Sequence, residues 1–416
     1  MSAPSRDVIV IGAGIVGVNI AAMLSENGHR VRVVDPEGVA EMTSRGNAAA
    51  LAFSDIMPLA SPKIMWKAPR WLFDPLGPLS IRPSYLPRLV PWLTRFALSS
   101  TPDRVEASIA AQSAMMDLAA RETFALAERA DIADLIRHDG SLELYESEGE
   151  FRASLPGWDR REASGIEFRH VRGGDLADLQ PGLAGRFVAG TFVPGWKTVS
   201  DPRDYALAVW KHAEKFGAKL ERRKVTRLEL SGAKPVAVLE DRTELSAERI
   251  VIAAGAWSTR ILKGTSAARI PLDTERGYNT TLPRGAFDLK RQLIFSGHAF
   301  VVTPLENGVR VGGAVEFAGL DAAPNYARSK IMLDKARDFL PGLDPSGGVE
   351  WMGFRPSLPD SLPVLSPLRE RGDILLAFGN GHLGLTQSAA MGRIVTDLVS
   401  EKTPSIDLAP FRADRF

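Results

Sequence analysis

Glycines 12, 14 and 17 stand between the run Asp7-Val8-Ile9-Val10-Ile11 and a helical stretch, and each can do a separate job. Gly12 allows a tight turn, Gly14 lets the backbone approach a pyrophosphate, and Gly17 lets helix and strand pack closely. The helix beginning near Gly14 offers the free N–H groups of residues such as Ile15 and Val16, and a positive dipole end, to phosphates. A second strand, 31–34, ends on Asp35, about twenty residues on, where a carboxylate can accept both hydroxyls of a ribose. Strand, turn, helix, strand and terminal acid together make a unit for gripping a dinucleotide. A glycine-rich turn in an ordinary α/β domain would need only the turn. Near the other end, Gly379-Asn380-Gly381-His382-Leu383-Gly384 leads into a second predicted helix, 386–400, and so builds a second helix N-terminus behind a glycine-rich turn.

Other elements must position these turns. After Asp35 the chain passes through Thr43-Ser44-Arg45-Gly46-Asn47, a small polar stretch suited to contacting a cofactor, or simply to being a surface loop. Residues 57–95 differ in texture. Pro58, Pro62, Pro69, Pro75, Pro78, Pro83, Pro87 and Pro91 alternate with Trp66, Trp71, Phe73, Tyr85 and Trp92. Proline at that density argues against a long helix and predicts a covering loop with short helices. Such a segment can pack on the surface, cover a site, or present an apolar patch to a membrane or partner.

Helical spacing returns at 107–130. Residues 141–200 read as short strands and turns, at 141–145, 168–171 and 187–193. The next helix is capped by Ser200 or Asp201, carries Pro202 in its first turn and stops at Gly217. Strands follow at 220–230 and 236–239. Arg249-Ile250-Val251-Ile252-Ala253-Ala254-Gly255-Ala256-Trp257-Ser258 is a buried strand whose small terminal residues let the chain pass close to a nucleotide. An antiparallel sheet is expected over 270–317, a helix over 326–340 and a strand over 374–378.

Composition narrows the field. The chain has 416 residues, a net charge of +1, no cysteine and six scattered histidines. It is long enough for two domains. The charge gives no electrostatic footprint for nucleic acid. Lack of cysteine removes disulfides, iron–sulfur ligation and a thioether-linked flavin, and the histidines lack metal-ligand spacing. The N-terminus reads as a short polar leader without signal peptide or membrane span, so the expected compartment is the cytoplasm.

In their order, the N-terminal glycine unit, Gly255-Ala256-Trp257-Ser258, Gly353-Phe354-Arg355-Pro356 and Gly381-His382-Leu383-Gly384 make the sequence resemble the D-amino-acid oxidase-like FAD oxidoreductases. Within them it looks most like the bacterial D-amino-acid dehydrogenases. Residues 353–364 and 72–93 are similar to D-hydroxyproline dehydrogenase-like members. The resemblance implies an α/β fold with a Rossmann-type FAD-binding domain from 1–60, 200–265 and 350–416. A second, mixed β-sheet substrate domain of α+β type would take 135–200 and 266–350, leaving 61–134 as covering loop and helices. It implies non-covalent FAD, an amino or imino acid oxidised at its Cα–N bond, and an electron acceptor such as a quinone or partner protein.

The resemblance also assigns roles. Arg355 would grip the substrate carboxylate in a bidentate fork and hold Cα–H against the flavin. Backbone groups of Gly381, His382, Leu383, Gly384, Leu385 and Thr386 would serve the flavin ring, with His382 also facing substrate. Thr43, Ser44 and Asn47 would contact phosphate and ribityl oxygens, Val225 adenine, and Ala254, Gly255 and Trp257 the passing cofactor. His298, Tyr278 and Arg276 are secondary substrate candidates. Phe300 stands where a carboxylate-binding tyrosine would be sought, which leaves His298 or Tyr278 to replace it.

The leading expectation is a dehydrogenase of a D-amino acid, with D-proline and hydroxy-D-proline among the candidates. It would pass electrons to quinone or another acceptor, with peripheral membrane contact through 57–95. Three alternatives stand beside it: an oxidase of glycine- or sarcosine-type amines, a flavoprotein subunit of a larger amine dehydrogenase, and a NAD-dependent dehydrogenase.

Overall fold

The computed structural model describes residues 4–61 and 79–416. Asp7–Ile11 is apolar on both faces, as a central parallel strand must be, and lies between Arg30–Val34 and Arg249–Ile252. Lys219–Glu221 and Arg371–Phe378 extend the parallel sheet on either side, and Val364–Leu368 closes it as an antiparallel edge. One face is covered by helices. Ile15–Glu26 packs against Gly384–Val399 and Pro202–Lys215, and Gly384–Val399 against Pro102–Ala130. The other face meets a three-stranded antiparallel sheet, Val225–Glu229, Val236–Leu239 and Glu244–Ser246.

A nine-stranded mixed sheet forms the second layer system. Its long antiparallel strands are Val349–Ser357, Asp273–Pro283 and Gly308–Phe317, in that spatial order, followed by Phe300–Leu305 and Gln292–Phe295. Ser141–Tyr145, Ala189–Val193 and Arg169–Val171 continue it, while Leu79–Ile81 pairs with Gly308–Phe317. One face buries Tyr278, Phe295, Val302 and Val311 against the helix Ala327–Phe339. The opposite face looks toward the glycine turns.

Three expectations need correction. Residues 86–99 form one 14-residue helix, Leu86–Ser99, despite Pro87 and Pro91. Pro87 sits in the first turn, where its missing N–H costs nothing, and buried Leu89 and Trp92 anchor the helix. Prolines 62, 69, 75 and 78, with Trp66, Trp71 and Phe73, lie outside the described residues. The helix expected over 107–130 is present as Pro102–Ala130, and its Met115, Leu118, Ala119 and Leu126 belong to the core beneath the parallel sheet.

Within 141–200, where strands and turns were expected, Glu148–Ala163 is a 16-residue helix. Its signal was the Ser147-x-x-Glu150 start: the Ser147 hydroxyl accepts from the Glu150 N–H. Pro156 and Gly157 obscured the rest. Finally, Val349–Ser357 is itself a strand of the large sheet, so the part of 350–416 up to Ser357 leaves the nucleotide-binding half.

Candidate active site

A cavity of about 1480 Å³ runs from the first glycine turn to the large sheet. That exceeds the usual few hundred to about 1,000 Å³ of a small-ligand pocket and suits a dinucleotide with a small molecule beside it. Gly12, Gly14, Ile15, Val16, Asp35, Thr43, Ser44, Asn47, Val225, Ala254, Gly255 and Trp257 line it. Arg355, Gly381, His382, Leu383, Gly384 and Leu385 line it as well.

The nucleotide end is built by backbone. Gly12 has φ +112°, and a Cβ there would lie 2.4 Å from the Ala253 carbonyl oxygen. A Cβ on Gly17 would lie 1.9 Å from the Gly12 carbonyl oxygen, so Gly17 lets the helix sit directly on the turn without lining the cavity. The Ser44 hydroxyl accepts from the Ile15 N–H at 2.9 Å, bringing the 43–48 loop against the helix start. Asp35 differs from expectation in its bonds. Its carboxylate accepts from the N–H groups of Ala13, Glu37 and Gly38, tying the strand end to the glycine turn while still facing the cavity.

The second helix start is equally open. Gly381 N–H donates to the Pro356 carbonyl and Leu383 N–H to Asn380. The N–H groups of Gly384, Leu385 and Thr386 belong to the first turn of Gly384–Val399, which leaves its leading donors without intrahelical partners. The Thr386 side chain points elsewhere: its hydroxyl accepts from Ala52 N–H and donates to the Ala50 carbonyl, holding the 50–52 segment. His382 faces the cavity with Nε2 3.0 Å from the Asp55 carboxylate. Burial pushes the Asp55 carboxyl up, but the hydrogen bond and charge of His382 and the charge of Arg161 outweigh it and hold it below the ordinary aspartate value.

The substrate-sheet end is built by side chains on alternate residues. Glu275, Gly277 and Asn279 pair with Arg355, Gly353 and Trp351 across two antiparallel strands, and alternation puts all six on one face. Gly277 makes room for Arg355: a Cβ there would lie 2.3 Å from a guanidinium nitrogen. Arg355 donates to the carbonyls of Ala314, 2.9 Å, and Gly313, 3.4 Å. Two of its five N–H donors are so used. Burial lowers its pKa, with the Glu275 charge opposing.

The same face grips the loop that follows the second strand, Arg30–Val34. Asn279, Arg310 and Gln292 donate to the carbonyls of Gly46, Asn47 and Ala48 respectively. Thr43 exchanges hydrogen bonds with the backbone of Phe354. Asn47 itself turns inward on the loop, donating to the Ser44 carbonyl and accepting from Ala49 N–H.

Arg276 and Tyr278 fall on the opposite face, one residue out of step. Arg276 is fully buried and donates to the carbonyls of Gly319, Ala322 and Ala323. The Tyr278 hydroxyl donates to Glu316 and accepts from Asn325 N–H, and burial raises its pKa. These groups hold the 319–325 loop. His298 pairs with Glu146 at 2.6 Å and contacts the Phe339 ring, outside the cavity lining. Phe300 stacks on Phe295 and packs against Phe339. Tyr278 and Phe300 nonetheless count among the cavity-lining residues, whereas Arg276 and His298 do not.

Missed from sequence were Glu275, Gly277, Asn279, Gln292, Arg310 and Trp351. The signal was period-two alternation from Arg355 and across its partner strand. Part of segment 57–95, read as a surface-packing, site-covering or membrane-facing stretch, does line the cavity. Leu79, Ile81, Trp92, Leu93 and Phe96 line it with Val315 and Phe317. Tyr85 donates to Asp273, and Trp92 Nε1 lies 3.4 Å from the Ser357 carbonyl. Burial raises both the Tyr85 phenol and the Asp273 carboxyl. No metal-ligating cluster occurs among the described residues.

Residues 7–398 match the family model described as DAO, FAD dependent oxidoreductase. The chain belongs to this family. A D-amino-acid oxidase of Bradyrhizobium diazoefficiens is 39% identical over 99% of both chains. A D-amino acid dehydrogenase of Rhizobium johnstonii is 32% identical over 98% of this chain and 99% of the relative. In fold, glycine oxidase from Geobacillus kaustophilus superposes with a TM-score of 0.75 at 22% identity, covering 99% of both chains. L-proline dehydrogenase from P. horikoshii gives 0.74 at 18%, covering 100% of this chain and 98% of that one. The protein is an FAD-binding oxidoreductase of the DAO family, and two helix starts, both at the C-terminal edge of the parallel sheet and both lining one long cavity, fit that cofactor.

Proposed function

We propose that this chain oxidises a D-α-amino or imino acid, with D-proline and its hydroxylated forms among the candidate substrates. The observation that carries the reading is Arg355, an arginine that lines the cavity and whose hydrogen bonds go to the carbonyls of Ala314 and Gly313 rather than to a carboxylate. A planar fork so placed orients a carboxylate, and with it the adjacent Cα–H. The relatives named D-amino-acid oxidase and D-amino acid dehydrogenase support the substrate class.

FAD, when bound, supplies the acceptor for the two electrons and the Cα hydrogen. Arg355 holds the carboxylate, with Gly277 leaving its guanidinium room. Trp92, Leu93, Phe96 and Phe317 form an apolar wall that excludes water from the reacting carbon. The N–H groups of Gly384, Leu385 and Thr386 present a positive helix end toward the site. The product imine hydrolyses in water, or leaves as a cyclic imine. Anaerobic titration of the flavin band with D- and L-enantiomers of alanine, proline and hydroxyproline tests this: D-compounds bleach the band, and bleaching by none sinks the reading.

For the acceptor we propose a quinone or partner protein. Leu86, Val90 and Leu98 on Leu86–Ser99 are 43%, 50% and 53% exposed. Residues 79–99 carry Arg82, Arg88 and Arg95 and no carboxylate, a combination suited to an anionic membrane surface. No helix among the described residues is long and apolar enough to cross a membrane. The relative named D-amino-acid oxidase favours oxygen as the second reading. Stopped-flow reoxidation by oxygen and by a soluble quinone decides between them.

A further inference from the structure

Glu275 and Arg355 are direct cross-strand partners on the cavity face of the large sheet. Such neighbours stand roughly 5 Å apart at Cβ, close enough for two opposite charges to meet. They are held apart instead. The guanidinium swings over Gly277 and bonds the carbonyls of Gly313 and Ala314. Glu275 accepts from the Ser357 hydroxyl at 2.5 Å. Glu275 is buried yet lines the cavity, so it faces the same space as the arginine.

A cation and an anion fixed apart on one wall, each tied to uncharged groups, complement a ligand that carries both charges. In an α-amino acid the carboxylate and the amine sit on one carbon, a separation matched to adjacent positions on two paired strands. We propose that Glu275 receives the substrate's amino group, so that the site reads the whole zwitterion: Arg355 the carboxylate, Glu275 the amine. The proposal rests on the carboxylate contact assigned to Arg355. It extends to secondary amines, because a protonated ring nitrogen still carries N–H donors. It discriminates against 2-hydroxy acids, which bring no positive charge to Glu275.

The test compares FAD-loaded wild type, Glu275→Gln, Glu275→Asp and Arg355→Ala with two probes. Propionate, which lacks an amine, is titrated against the flavin spectrum; D-alanine and D-proline are assayed for KM and kcat. Glu275→Gln is expected to raise KM for the amino acids about tenfold or more, as loss of a charged hydrogen bond does, while propionate binds as well as before or better. Glu275→Asp recovers part of the amino-acid affinity. Equal weakening of both probes, or of neither, overturns the proposal. If propionate binding in wild type does not depend on Arg355, the arginine reading falls and takes this one with it, a result distinct from a selective failure at Glu275. If Glu275→Gln does not retain FAD, the same comparison on Glu275→Asp decides.

Discussion

The two ends of the cavity are made of different material. At the nucleotide end, glycines and backbone N–H groups form the surface, and a missing Cβ is the functional feature. At the sheet end, long side chains on alternate residues form it, and backbone serves to aim them. A backbone-built site tolerates many neighbouring side chains but no added atom at its glycines. A site built by side chains has the opposite sensitivity: single truncations abolish its chemistry and leave the cofactor in place.

The largest effect is expected from adding an atom at the nucleotide end. Gly12→Ala forces a Cβ onto the Ala253 carbonyl at a φ of +112°, a strain on the order of 1–3 kcal/mol before the clash is counted. FAD affinity should fall a hundredfold or more, read by flavin content and titration calorimetry; retention of full affinity would break the contrast. Next comes Gly277→Val at the other end. Its side chain displaces the Arg355 guanidinium, so KM should rise roughly 10–100-fold with FAD binding unchanged, the spread expected for disturbing a charge-assisted contact. Loss of FAD in that variant would show that the ends are not independent.

The two ends were unequally legible, and for physical reasons. Glycine turns are local: Gly12, Gly14 and Gly17 act within six residues, so the sequence displays the whole device. Arg355 stood out only through its Gly-Phe-Arg-Pro setting. Its neighbours were hidden, because Glu275 meets it through pairing across some eighty positions of chain. Arg276 and Tyr278 have the right chemistry in the right segment but stand one residue out of step with Glu275, the partner of Arg355. A slip of one turns a side chain to the opposite face, and no local signal fixes that register. The helix Glu148–Ala163 was signalled by Ser147 and Glu150 but interrupted by Pro156 and Gly157. Helix Leu86–Ser99 was discounted for its prolines, although Pro87 lies in the first turn.

Smaller effects refine the comparison. Tyr85→Phe removes the hydroxyl bonded to Asp273 and should cost about 1 kcal/mol in denaturant unfolding, with KM rising more than kcat falls because the wall over Arg355 loosens. An unchanged KM would separate the wall from substrate binding. The least effect is expected at His382. Asp55 has a lowered pKa, so its interaction stabilises the fold above the ordinary aspartate value of 3.8 and is lost as pH falls through the lower native value. His382→Asn should therefore diminish the stability lost on acidification below that value. Thermal melts from pH 6 downward, in steps of about one unit, check the sign; identical acid limbs would remove the pair from the account.

The most direct test of the division of labour is a paired measurement on wild type and Arg355→Ala: flavin content, then anaerobic bleaching by a D-amino acid. The account predicts equal FAD in both, with bleaching in wild type and a rate reduced about a thousandfold in the variant, as when one side of a buried charge-assisted pair is removed. Bleaching that proceeds equally in Arg355→Ala, or FAD that is lost along with the arginine, would contradict it.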